Sequence, residues 1–168
     1  MKYFTPELYL RANSSDDDVA DRADEEWEQS IKKYQHYIDS LSNEMPPRVK
    51  KLAKTIWLHD AQLRLLAIGQ DVLKSGSRLQ SPLTIATLTL QQGETSVNLV
   101  YMLWDRVTQT NPRQGHPWSA VGACWLYDEI ELVRPHPNRF HHRILLSDGS
   151  ILDIPFYDVN VPVLPGFD

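Results

Sequence analysis

From Val19 to Leu41, apolar side chains recur every three or four residues: Val19, Ala23, Trp27, Ile31, Tyr34, Ile38 and Leu41. This spacing keeps one face of a helix apolar and leaves the other to charged residues. Ser15, followed by Asp16, Asp17 and Asp18, supplies a cap and three first-turn carboxylates, where the helix dipole favours negative charge. The pattern predicts a long acidic helix ending near Asn43, ahead of Pro46 and Pro47. A shorter helix precedes it. Thr5 is its cap, Pro6 its first residue and Glu7 its first-turn acid, with Phe4 and Tyr9 spaced as a hydrophobic staple. Beyond Pro47, Val49, Leu52, Ile56, His59 and Leu63 share one face and Lys50, Lys51 and Lys54 another. A third helix is therefore expected to run to residue 68, with His59 as a hydrogen-bonded histidine on its apolar stripe.

After Pro82 the period changes from 3.6 to 2. Ala86, Leu88 and Leu90 alternate with Thr87 and Thr89, and Gln92-Gly93-Glu94 separates this run from a second one over 95–104, which together predict a hairpin. Cys124 to Val133 reads as a third strand. Phe140 to Leu146 and Ile151 to Phe156 form a second hairpin across Ser147-Asp148-Gly149. The expected fold is α+β, with N-terminal helices, one long and acidic, packed on a mostly antiparallel sheet of about five strands. Its parts are a helical portion over 1–68, a sheet over 83–158 and an extended tail over 159–168, all in one domain.

The second hairpin decides how three clustered histidines are read. A three-residue loop with Gly149 left-handed pairs His142 with Ile154, Ile144 with Leu152 and Phe140 with Phe156, and gathers the large apolar residues on one face. Arg143 then opposes Asp153 on the other. His141 and His142 project to opposite sides, so they cannot readily share one metal ion, and His136 lies in the loop before the strand. No metal or other cofactor is expected. If 134–138 joins two antiparallel strands, Ile130 faces His142 and Glu131 faces His141, while Asp128 sits diagonally from His142 on the inner face. Asp128 and His142, with Glu131 and His141 on the opposite face, are the candidates for acid–base chemistry. Cys124, expected on the same face as Asp128, is the candidate thiol. The patternless stretch from Arg106 to Val121 carries Arg113, His116 and Trp118, a combination suited to a binding contact.

Charge narrows the partners. Residues 1–45 hold five basic and eleven acidic residues, residues 46–80 seven and two, and residues 81–168 five and nine. An acidic helix lying beside a basic one accounts for this dipole. The positive segment is accompanied by neither an RNA-binding aromatic motif nor a zinc-finger spacing, which argues against nucleic acid. A single cysteine points to a reducing compartment, the cytoplasm, and no apolar run reaches the length of a membrane span.

The opening K-Y-F-T-P-E-L-Y-L and the segment H-R-I-L-L-S-D-G-S-I-L-D-I-P-F, from His142 to Phe156, resemble those of a family of uncharacterised bacterial proteins with the same order of acidic helix and strands. The resemblance implies a fold order and brings no activity or site residues with it. The favoured expectation is a non-catalytic cytoplasmic binding or protein-interaction module, of the inhibitor or immunity type. The alternative is a small hydrolase-like enzyme that uses the Asp128 and His142 region.

Overall fold

Thr5 Oγ1 accepts the Leu8 amide at 3.1 Å and Pro6 opens helix α1 (Pro6–Ala12), so the Thr-Pro-Glu start folds as its chemistry requires. The computed structural model describes residues 1–55, 58–71, 82–112, 122–136 and 138–161. Helix α2 (Asp17–Ser40) is capped by Asp16, whose carboxylate accepts the Val19 amide at 3.2 Å; the cap is one residue later than Ser15. Asp17 and Asp18 remain in the first turn. The apolar stripe of α2 serves two cores. Ala23 and Trp27 pack with Phe4 and Leu8 and tie α1 to α2. Ile38 and Leu41 join Met45, Val49 and Leu52, the last two from helix α3 (Pro47–Thr55), in the main core. Lys54 of α3 pairs with Asp39 of α2 at 2.5 Å, a direct contact between the basic and acidic segments.

The strands are β1 (Gln62–Asp71), β2 (Leu83–Gln92), β3 (Thr95–Leu103), β4 (Thr108–Gln109), β5 (Trp125–Leu132), β6 (Phe140–Leu146) and β7 (Ile151–Asn160). They form one antiparallel sheet in the order β1-β2-β3-β7-β6-β5, and β4 pairs with β7 beyond the end of β3. The fold is α+β, with β1 and β4 in addition to the strands expected. Pro155 lies where β3 has left β7 and β4 has not yet begun, so its missing N–H interrupts no ladder bond.

The expected third helix is corrected: it does not run to residue 68, because Gln62–Asp71 is a strand and the described helix is Pro47–Thr55. Within that strand a bulge lies at Arg64. It lets Leu63 pair with Leu90 and Leu66 with Leu88, so two residues three apart face the same side, a spacing that imitates a helix. His59 is consequently not on a helical stripe. It occupies a turn with Asp60, which has a left-handed φ of 64°, and its ring meets Tyr127 at 5.1 Å.

The two ends of the sheet approach each other. Asp60 N bonds Trp125 O at 2.8 Å, Trp125 N bonds Ala61 O at 2.9 Å and Leu63 N bonds Ala123 O at 2.9 Å. These bonds join the start of β1 to the start of β5 and curl the sheet toward a barrel. Farther along, α2 lies against the outer edge of β5, where Tyr34 and Tyr37 hydroxyls accept the Ile130 and Leu132 amides at 2.7 and 3.1 Å. The barrel interior is filled by inward residues such as Leu88, Leu99, Ile130, Phe140, Ile144, Ile154 and Phe156. The tail expected from residue 159 begins as strand, since Val159 pairs with Tyr101 and Asn160 with Val100. Residues 162–168 lie outside the described residues.

Candidate functional site

Gly149 takes a φ of 76°, and its amide bonds Leu146 O at 2.9 Å. That turn sets the register His142 to Ile154 and Phe140 to Phe156, with Arg143 opposite Asp153. His142 therefore faces the interior and His141 the outer surface.

Inside, His142 is fully buried and both ring nitrogens are engaged. Nδ1 lies 2.9 Å from the Tyr101 hydroxyl and Nε2 lies 3.0 Å from Asp128 Oδ2. Burial, and secondly the Asp128 charge, push the Tyr101 hydroxyl well above its ordinary pKa, so it remains a donor. The tautomer that satisfies every group accepts the Tyr101 proton at Nδ1 and donates Nε2–H to the carboxylate. The other carboxylate oxygen, Oδ1, accepts the Trp125 indole N–H at 3.1 Å. In a regular strand Trp125 and Asp128 would point to opposite faces. A bulge at Leu126, between the pairs Trp125–Leu146 and Tyr127–Leu145, reverses the alternation and makes the bond possible. The same reversal corrects the placement of Cys124: Trp125, not Cys124, is in phase with Asp128.

Asp128 is the exposed end of this chain of hydrogen bonds. Its side chain is 29% accessible and lines a cleft of about 480 Å³ between α2, α3 and the start of β5. Apolar walls come from Ile31, Ile38, Leu52 and Leu58, aromatic ones from Phe4, Tyr34, Trp125 and Tyr127. Burial, then the charge of Asp128, also raises the Tyr34 hydroxyl well above its ordinary pKa. Lys54 and Asp39, paired with each other, are further polar members of the lining, as are Gln35 and His59.

Glu131 and His141 do not join this site. They lie on the opposite face in a separate network, in which Arg143 reaches Glu131 at 2.6 Å and Asp153 at 3.4 Å, and His141 Nδ1 lies 2.7 Å from Asp153. Desolvation alone would raise the Asp153 carboxyl, but the hydrogen bond and charge of His141, then Arg143, outweigh it and hold the pKa below its ordinary value. Among the described residues no group of three or more His, Cys, Asp or Glu side chains is placed to hold a metal ion, and no helix is long and apolar enough to cross a membrane. Arg113, His116 and Trp118 lie outside the described residues.

One arrangement had almost no signal in the sequence. The buried Glu129 carboxylate accepts the consecutive amides of Lys2, Tyr3 and Phe4 at 2.7, 2.6 and 2.7 Å, and so fixes the segment whose Phe4 ring forms a cleft wall. Its partners are main-chain groups more than a hundred residues away, and only an acid in a strand otherwise rich in buried positions hints at such a need. Compared with models of protein families, with curated proteins and with solved structures, the chain matches none.

Proposed function

We propose that the protein is a non-catalytic binding module, located in the cytoplasm, whose ligand enters the cleft beside Asp128. One observation carries this reading: the imidazole stands behind the carboxylate, fully buried, with both nitrogens committed. A general base must reach the proton it takes. His142 is screened from the cleft by the group it supports, so it orients Asp128 and does not exchange protons with a ligand. A cleft of about 480 Å³ with apolar walls and few polar groups is of the size and composition that hold small molecules. The lone Cys124 supports the cytoplasmic part of the proposal.

The cleft opening onto Asp128 also favours one alternative, a small hydrolase-like enzyme in which this carboxylate acts alone as nucleophile or base. A fragment screen read by the Trp125 indole N–H resonance tests the two. Binding is expected to move that resonance, and each bound compound should be recovered unchanged after prolonged incubation. Turnover abolished by Asp128→Asn would favour the enzyme, and a screen whose responses all map away from Trp125 would remove the cleft from both readings.

A further inference from the structure

The proposal that a ligand occupies the cleft leaves its chemistry open, and the side chains narrow it. Both oxygens of Asp128 accept in the bonding scheme that satisfies its neighbours, one from Trp125 and one from His142. Neither partner needs to carry a positive charge. Among the described residues, no lysine or arginine pairs with Asp128, and the cleft's own Lys54 is held by Asp39. Each carboxylate oxygen keeps a lone pair after its one bond, so the group can accept N–H donors from the cleft side.

Around it, the Trp125, Tyr127, Tyr34 and Phe4 rings contribute to the walls. Ring faces attract cations, most strongly away from water. Ile31, Ile38, Leu52 and Leu58 add an aliphatic stretch of wall suited to an apolar body, and the charged Lys54 and Asp39 of the lining neutralise each other. Buried behind the site, the Tyr101–His142 pair keeps the carboxylate in one orientation. The arrangement is thus preorganised for a cationic head with N–H donors on an apolar stem.

Resting on the binding-module reading, we infer that the cleft binds a small protonated amine with an apolar body, its ammonium on Asp128 and its body against the aliphatic and aromatic wall. Hexylamine, hexanol, hexanoate and hexyltrimethylammonium share the stem and differ at the head, and titration of each into the intact protein, followed at the Trp125 indole N–H, tests the inference without a mutation. Hexylamine is expected to bind at least about tenfold more tightly than hexanol, the difference a well-placed charge-assisted contact supplies. Hexyltrimethylammonium, which has no N–H to donate, should fall below hexylamine. Asp128→Asn should reduce hexylamine binding to about the level of hexanol.

Equal binding of the amine, alcohol and carboxylate would overturn the cationic specificity while leaving the cleft a binding site. Hexylamine binding insensitive to Asp128→Asn would overturn it too. If no member of the series perturbs Trp125 but the fragment screen does, this inference fails alone; if neither does, the binding-module reading fails with it.

Discussion

His141 and His142 are adjacent in sequence and sit on opposite sides of β6, so truncating each removes different things. His142→Ala opens a cavity in the barrel, takes the Nδ1 partner from Tyr101 and leaves Asp128 with Trp125 alone, and should cost about 3–4 kcal/mol. His141→Ala removes a half-buried partner of Asp153 and should cost about 1 kcal/mol or less. Urea titrations of the two variants check the order, and a larger loss for His141→Ala would contradict the observed register. Asp153 adds a dependence on pH. Its folded pKa lies below the ordinary 3.8, so its contribution to stability is present above that value and is lost as pH falls through the lower, folded value. Asp153→Asn should therefore flatten the stability curve below about pH 4, where the wild-type carboxylate takes up its proton. Urea midpoints for both proteins across that range provide the comparison.

At the level of elements, two local devices fix the site. The β6–β7 turn needs the left-handed Gly149, so Gly149→Val should destabilise the protein by about 1–2 kcal/mol or more, read as a lower denaturation midpoint. The Glu129 seat holds the segment from Lys2 to Phe4. Glu129→Gln keeps the size but loses the charge and one acceptor for three amides, and should cost about 2–3 kcal/mol with faster hydrogen exchange at Tyr3 and Phe4. These elements were unequally legible in the sequence. The second hairpin could be read because only one register placed Phe140, Ile144, Leu152, Ile154 and Phe156 on a common side. The pairing of Asp128 with His142 followed from that register and its neighbour. β1 could not be read, because the Arg64 bulge gave it a helical spacing and its Leu65 and Ile68, 54% and 55% exposed, broke the link between apolar residue and core. The bulge at Leu126 hid the Trp125–Asp128 bond in the same way, and the cleft depends on how α2 and α3 settle against β5, a long-range packing that periodicity does not encode.

Across the whole molecule, the sheet is joined along part of its circumference by main-chain bonds between 60–63 and 123–125, and α2 covers the edge of β5 farther on. Tyrosines three apart on a helix face stand about 5–6 Å from each other, close to the roughly 6.7 Å between alternate strand residues, so two hydroxyls can serve two successive outward amides. Those oxygens are acceptors that another chain could otherwise supply. An exposed row of strand amides is a template for pairing between molecules, and here the template is occupied by side chains of the same chain. Changing both Tyr34 and Tyr37 to Phe keeps the rings and removes only the acceptors. The double variant should scatter light increasingly with concentration under conditions where the wild type does not, and equal scattering from the two would show that the hydroxyls do not guard the edge. On this view, a pair of oxygen atoms on an acidic helix sets how concentrated the protein can become before its molecules begin to pair with one another.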